Sequence, residues 1–134
     1  ELCRLALDDH PKMKVSDIEF NLPKPNYTIH TLIHLEEKYP ERKFSIIMGM
    51  DNLQNFHKWK AYKTILEHYN ILVYPRPGYD AGQYQDHPSV FIIDAPLMQI
   101  SSSYIRQELK KGNDIRFFIR NKVFEMIDNE GLYR

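Results

Sequence analysis

Residues 43–51, KFSIIMGMD, contain a continuous apolar run that ends at a glycine and an aspartate. A short apolar run of this kind is typical of a strand buried on both faces of a parallel sheet. Two similar runs occur downstream, NILVY at 70–74 and SVFII at 89–93. Because helical patterns precede, separate and follow these strands, the sequence predicts an α/β fold: a Rossmann-like, mainly parallel sheet with flanking helices.

The helical patterns differ in how clearly they begin and end. YTIHTLIHLEEKYP (27–40) predicts a helix capped by Thr28 and stopped before a proline, and residues 51–69 predict a helix in two pieces. Residues 99–112 and 119–133 predict two more helices, the first ending at Gly112. Two other segments give different predictions: alternation in MKVSDIEF (13–20) indicates a half-buried strand, and the polar segment 80–88 indicates a loop.

Composition bounds the class of protein. The chain has 134 residues, with 18 basic and 18 acidic side chains, so its zero formal charge argues against sequence-blind binding to nucleic acid or to an anionic membrane. Its single cysteine, Cys3, excludes an intrachain disulfide. No apolar run approaches the ~18 residues of a membrane span, and no signal peptide opens the chain. We therefore expect one cytoplasmic domain spanning residues 1–134, and a homo-oligomer is left open.

The first eleven residues bear on whether the chain is part of a longer one. ELCRLALDDHP (1–11) begins without a methionine and already has Leu2, Leu5 and Ala6 at helical spacing. Since a domain rarely starts inside a helix, we expect this chain to be the C-terminal part of a longer one.

Polar groups suited to a nucleotide follow the predicted strands. Gly49 and Asp51 follow the first strand, Arg76 follows the second, and the stretch QISSSYIRQELKKG follows the third. Ligands of parallel sheets bind beyond the carboxyl ends of the strands, so these loops define the candidate site. Gly49 allows close approach of a backbone, Asp51 could accept from ribose hydroxyls or lie near a metal, and Arg76 could hold a phosphate.

The three consecutive serines have two interpretations. They could only cap the next helix, because one hydroxyl suffices to accept from an orphan amide. Alternatively, Ser101 to Ser103 and Arg106 form an anion site at a helix N-terminus, where the partial positive charge and free amides favour phosphate. Three polar loops at one sheet edge favour the second interpretation.

The ordered motifs NYTIHTL, IIMGMDNLQNFHKWK, LVYPRPGY, APLMQISSSYIRQEL and IDNEGLYR resemble bacterial nicotinate-nucleotide adenylyltransferases, of the nucleotidylyltransferase superfamily. The resemblance runs from about Arg4 to the C-terminus. It implies transfer of an adenylyl group from ATP to nicotinate mononucleotide, which gives deamido-NAD and pyrophosphate, with Mg²⁺ accompanying the ATP.

The resemblance also assigns residues. Gly49, Asp51, Ser101, Ser103 and Arg106 match ATP-binding positions, and Arg106 is the catalytic candidate. The family pattern is more permissive at Ser102, which implies that Ser102 is the serine that only caps the helix. The mononucleotide-binding positions are matched by Thr28, whose backbone would help to recognise the pyridine carboxylate, by Trp59, which would stack on the pyridine ring, and by Arg76. None of the six histidines has a convincing metal-ligand partner, so no protein metal site is predicted.

The chain departs from the family pattern in three places. The family's G-x-F-x-P-x-H-x-G-H segment, whose histidines bind ATP phosphates, is absent, so we expect the polypeptide as given to be inactive. His30 stands where an acidic or amide residue is usual, and Arg120 replaces a proline. Three alternatives stay open: nicotinamide mononucleotide as acceptor, phosphopantetheine as acceptor, and a non-catalytic nucleotide-binding module.

Overall fold

The computed structural model describes residues 1–133. The described strands and α-helices are, in chain order, α1 (Leu2–Leu7), α2 (Thr28–Lys38), β1 (Ser45–Gly49), α3 (Met50–Gln54), α4 (Tyr62–His68), β2 (Asn70–Tyr74), β3 (Val90–Ile92), α5 (Ser102–Lys110) and α6 (Asn121–Asn129). The chain folds as two compact units: a sheet unit, residues 18–99, and a helical unit, residues 1–17 with the residues from 100 onward. No helix within residues 1–133 is long and apolar enough to cross a bilayer.

The sheet confirms the predicted α/β fold. Its three strands are parallel and follow the order β1-β2-β3. Gly49 lies opposite Tyr74, so β1 and β2 end side by side. α3 and α4, with a 3-10 turn between them at Phe56–Lys58, connect these two strands, which confirms the helix in two pieces. The register therefore places the loops after β1 and β2 at the same edge of the sheet.

One face of the sheet carries the core. Ile71 and Val73 of β2 are fully buried, and they pack with side chains from α2, α3, α4 and the 3-10 turn between α3 and α4. The largest fully buried side chains of this unit are Phe56, Leu53, Ile65, Ile71 and Val73. The opposite face is open: Ile47 is 73% exposed, and Phe91, in register across Leu72, is 46% exposed. The prediction that the first strand is buried on both faces is therefore wrong.

The predicted strand at residues 13–20 is also wrong. This segment is irregular and ends in a 3-10 turn at Ile18–Asn21, with Met13 and Phe20 well exposed. Alternation becomes a strand only where a neighbouring strand accepts its backbone hydrogen bonds, and within residues 1–133 the sheet pairs only β1 with β2 and β2 with β3. The segment 80–88 is a loop as predicted, and it is anchored, because Ala81 and Tyr84 are buried in the sheet-unit core.

A buried tyrosine ties α2 to the start of β2. The Tyr69 hydroxyl donates to Glu36 Oε2 at 2.9 Å, and Tyr69 itself is 5% exposed. Burial, reinforced by the neighbouring carboxylate, raises the pKa of Tyr69 to about 12. The tyrosine therefore stays neutral over the physiological range, and the hydrogen bond persists there.

The helical unit has its own small core of Leu109, Ile115, Val123 and Ile127. Its helices α5 and α6 lie where the sequence predicts them, and α1 contributes Leu2 and Leu5 to the edge of the core. The Asp8 carboxylate pairs with the Lys122 ammonium, joining α1 to α6, and this pairing lowers the pKa of Asp8. The unit is thus held by apolar packing, with an exposed ion pair at its surface.

Candidate active site

Gly49, Asp51 and Arg76, here called the Arg76 cluster, lie together beyond the ends of β1 and β2. Arg76 Nε lies 3.3 Å from Asp51 Oδ1, and both side chains are partly exposed. The contact is an ion pair that lacks hydrogen-bond geometry. Asp51 Oδ1 is therefore a buried oxygen with no hydrogen-bond partner among the described residues. A buried carboxylate oxygen with spare acceptor capacity suits a ligand hydroxyl or a cation.

Gly49 makes room for this pair. Its φ of −77° is ordinary, so the backbone does not require glycine there. A Cβ at Gly49, however, would lie 2.3 Å from Asp51 Oδ1 and 3.3 Å from Arg76 Nε. The glycine is therefore explained by close approach of side chains. Asp51 does not cap α3, because Gly49 is the N-cap residue and α3 has no side-chain cap.

A second group of residues lines a cleft of about 280 Å³. This cleft, here called the Trp59 cleft, is lined by Asn26, Tyr27, Thr28, Lys58, Trp59 and Lys60. The structure thus brings Thr28 and Trp59 together, although the loop after β1 and the start of α2 are far apart in sequence. Arg76, predicted with them, does not line this cleft and contacts Asp51 instead.

Local backbone geometry aims Trp59 at the cleft. Trp59 follows the 3-10 turn in an extended conformation, and its ring meets Phe56 edge-on at 5.2 Å between centroids. Ala61 then adopts a left-handed conformation with φ of 54°, which reverses the chain into α4. Because one edge of Trp59 packs on the core and the residue is only half-buried, part of the ring is free for a ligand.

Thr28 is the first residue of α2 and does not cap it. The N-cap residue is Tyr27, and no side chain caps the helix, so the prediction of a Thr28 cap is wrong. The His30 amide donates to the Tyr27 carbonyl oxygen at 2.9 Å, whereas the Thr28 and Ile29 amides have neither a side-chain cap nor a backbone acceptor among residues 1–133. Uncapped amides and the positive end of the helix favour an anionic group in the cleft.

Sequence reasoning missed the two cleft lysines, Lys58 and Lys60. The Lys60 ammonium lies 4.5 Å from the centroid of the Tyr27 ring, within the range of a cation–π contact. The available signal was their position: they flank the only tryptophan, in the string HKWK. Tyr27 also lines the cleft.

The serine segment, Ser101 to Arg106, opens α5 in the helical unit. Ser101 is the N-cap, and its hydroxyl accepts from the Tyr104 amide at 3.2 Å. The prediction that Ser102 is the capping serine is therefore wrong. Arg106 Nη2 donates to the Ser103 hydroxyl at 3.3 Å, so two of the predicted phosphate-binding residues are neighbours.

Ser103 and Arg106 line a cleft of about 410 Å³ together with Gln107, Lys110 and Tyr133. Lys110 adds a second cation, which suits a polyanionic ligand. Tyr133 was not predicted, although it belongs to the closing IDNEGLYR motif. Within residues 1–133 no group of three or more histidine, cysteine, aspartate or glutamate side chains is placed to hold a metal ion.

Comparison with known proteins places the chain in a class. Residues 1–108 match the family model described as cytidylyltransferase-like, a class of nucleotide-transferring proteins that accords with polar loops at the carboxyl ends of a parallel sheet. Two relatives named "Probable nicotinate-nucleotide adenylyltransferase" come from Flavobacterium johnsoniae and Flavobacterium psychrophilum. They are 46% and 47% identical to 100% and 99% of this chain, which spans 70% of each relative's length. The chain belongs to the nicotinate-nucleotide adenylyltransferase family.

Solved structures agree on the fold. A nicotinate-nucleotide adenylyltransferase assigned in Vibrio parahaemolyticus aligns with a TM-score of 0.67 at 26% identity, over 90% of this chain and 59% of its own. The nicotinic acid mononucleotide adenylyltransferase of Plasmodium falciparum, complexed with APC, aligns with a TM-score of 0.72 over 92% of this chain and 65% of its own. At 23% identity the second likeness concerns the fold alone.

Proposed function

We propose that this protein transfers the adenylyl group of ATP to nicotinate mononucleotide, giving deamido-NAD and pyrophosphate in NAD biosynthesis. The observation that carries the proposal is the Trp59 cleft, where an aromatic side chain, the first residue of the uncapped helix α2 and two lysines line one small cavity. A pyridine ring stacked on Trp59 would direct its carboxylate toward these positive groups. The family to which the chain belongs supports the same acceptor.

The reaction needs positioning and charge neutralisation. A phosphate oxygen of the mononucleotide attacks the α-phosphorus of ATP, a new phosphorus–oxygen bond forms, and the bond to pyrophosphate breaks. Negative charge grows on the leaving phosphates in the transition state, so fixed cations there lower the barrier. We assign this role to Arg106, with Ser101 and Ser103 donating hydrogen bonds to the phosphates. Gly49, Asp51 and Arg76 would surround the nucleotide ribose and an adjoining phosphate.

Mg²⁺ fits this scheme as a companion of the nucleotide. Magnesium in such enzymes is held largely by substrate phosphates and water, with one or two protein carboxylates. The partly exposed carboxylate of Asp51, beyond the end of β1, is the protein group that would approach it. When bound, the ion would neutralise phosphate charge.

Stacking on Trp59 is tested by two substitutions in the complete protein. Trp59→Ala should weaken nicotinate mononucleotide binding by about 1–3 kcal/mol, the range for stacking of a base on an aromatic side chain, and leave ATP affinity unchanged. Trp59→Phe keeps an aromatic face and contact with Phe56, so it should retain most of the affinity. Calorimetric titration with each ligand measures both effects.

Equal losses of affinity for both ligands in Trp59→Ala would contradict the assignment. So would a Trp59→Ala variant that no longer folds. Trp59 would then be a packing residue, which its contact with Phe56 alone would explain.

A further inference from the structure

Lys60 is the lysine of the Trp59 cleft whose ammonium group contacts an aromatic ring within residues 1–133. Its ammonium lies 4.5 Å from the centroid of the Tyr27 ring, and Tyr27 immediately precedes the first turn of α2. A lysine held over an aromatic face loses less conformational freedom when it binds an anion than a lysine moving freely in solvent. The tyrosine thus keeps this ammonium beside the uncapped helix end.

The cleft wall is positively charged and contains no acidic side chain. It carries Lys58 and Lys60, and neither lysine forms an ion pair with any residue in the range 1–133. An unpaired ammonium group beside amides without an acceptor favours a bound anion over a neutral group of the same size. The two mononucleotide acceptors differ in this respect, because one carries a carboxylate and the other a neutral amide.

We infer that Lys60 is a specificity-determining residue, whose ammonium pairs with the pyridine carboxylate and so makes the protein prefer nicotinate mononucleotide over nicotinamide mononucleotide. The inference rests on the proposed function, because it takes the pyridine ring to be stacked on Trp59. Lys60 directly follows Trp59 in the chain and shares the cleft with it, so its ammonium can reach a substituent at the edge of that ring.

A different group of the ligand could attract the same lysine. Both mononucleotides carry a phosphate, and an ammonium that binds this phosphate would strengthen both acceptors equally. The structure favours the carboxylate because the Lys60 ammonium lies over the ring of Tyr27, the N-cap residue of the uncapped helix α2, and Lys60 lines the same cleft as Thr28 and Trp59. The two acceptors therefore serve as probes that separate a carboxylate contact from a phosphate contact.

The test compares three variants of the complete protein by calorimetric titration with each mononucleotide. Lys60→Gln removes the charge and keeps most of the side-chain length. Lys60→Arg keeps the charge and the ability to lie over an aromatic ring. Lys63→Gln removes the same charge from an exposed position that does not line the cleft, so it controls for the change in net charge.

We expect Lys60→Gln to weaken binding of nicotinate mononucleotide about tenfold, the effect of losing a charge-assisted contact, with nicotinamide mononucleotide affected less than about twofold. Lys60→Arg should restore most of the preference, and Lys63→Gln should leave both affinities unchanged. ATP affinity should be the same in all variants. Because Lys60 is exposed, the thermal midpoint of unfolding should stay near that of the wild type.

Two results would overturn the inference. If Lys60→Gln weakens both mononucleotides equally, Lys60 binds the shared phosphate. If neither affinity changes, Lys60 does not contact the acceptor, although the wild type still binds it. A wild-type protein that binds ATP but neither mononucleotide would instead overturn the proposed function, and the inference with it.

Discussion

At the scale of the residue, the space beside Gly49 decides the geometry of the Arg76 cluster. The backbone at Gly49 is extended and accessible to any residue, whereas its missing side chain lets Asp51 and Arg76 meet. A sequence cannot distinguish two reasons for a glycine. If the backbone has a positive φ, substitution destabilises the fold; if neighbouring side chains approach closely, substitution disturbs the site instead.

Gly49→Ala should therefore damage the site more than the fold. The added Cβ collides with the end of the Asp51 side chain, which can rotate away, so we expect a loss of stability of less than about 1 kcal/mol. Displacing Asp51 should nevertheless weaken ATP binding at least about fivefold, as expected for a disturbed charge pair. Calorimetric titration with ATP and a urea unfolding curve measure the two quantities. A large loss of stability with intact ATP affinity would make Gly49 a structural residue only.

The two substitutions within the family pattern also have residue-scale explanations. Arg120 has φ of −68°, the value that a proline ring imposes, so the backbone is unchanged where arginine replaces the usual proline. His30 meets the Tyr27 ring edge-on at 5.6 Å, and it therefore helps to hold the side chain on which Lys60 rests.

At the scale of the element, α5 shows how a capping residue and candidate ligand residues share one stretch. Ser101 caps the helix, while Ser103 and Arg106 contact each other on its first turns. At the other end the Gly112 amide donates to Leu109 at 3.0 Å and the Asn113 amide donates to Glu108 at 2.9 Å, with Gly112 at φ of 76°. This is the Schellman arrangement that the glycine predicts.

The three serines should respond differently to removal of the hydroxyl. Ser101→Ala deletes the cap and should cost about 1 kcal/mol of stability, whereas Ser102→Ala, which removes no observed bond, should change stability by less than about 0.5 kcal/mol. Thermal or urea unfolding of both variants, with Ser102→Ala as the matched control, measures the difference. Equal costs at both positions would contradict the assignment of the cap.

At the scale of the whole molecule, the sheet unit buries one face of its sheet and leaves the other open. Ile46, Met48, Ile71, Val73 and Val90 form the inner face in register, whereas Ile47, Leu72 and Phe91 form the outer row. Apolar area removed from water is what stabilises the unit, so equivalent side chains on the two faces should contribute very differently.

Two isoleucines of the sheet test this. Ile71→Ala empties a fully buried site and should destabilise the protein by about 2–5 kcal/mol. Ile47→Ala removes a side chain that is 73% exposed and should cost less than about 1 kcal/mol. Urea unfolding followed by circular dichroism compares the two variants. A similar cost at both positions would mean that the outer face is covered in solution.

The sequence by itself predicted the elements whose signals are local. Apolar runs located β1, β2 and β3, helical periodicity located α1, α2, α5 and α6, and the loops after β1 and β2 were correctly expected at one sheet edge. The same local signals failed at residues 13–20, where alternation had no partner strand, and at Ile47, whose burial depends on what packs above the sheet. Hydrophobic pattern sets the period of an element, but burial is a property of its neighbours.

The family resemblance had grouped Thr28 with Trp59 and Arg76, and only the tertiary structure decided the rest. It placed the Lys60 ammonium over the Tyr27 ring, and it placed Arg76 beside Asp51 instead of in the cleft of Thr28 and Trp59. Contacts between residues distant in sequence depend on strand register, on the turn at Ala61 and on the position of each helix end, and none of these follows from the identity of the residues that meet. The capping serine likewise depended on where α5 begins, because neighbouring serines are chemically identical until the backbone selects one of them.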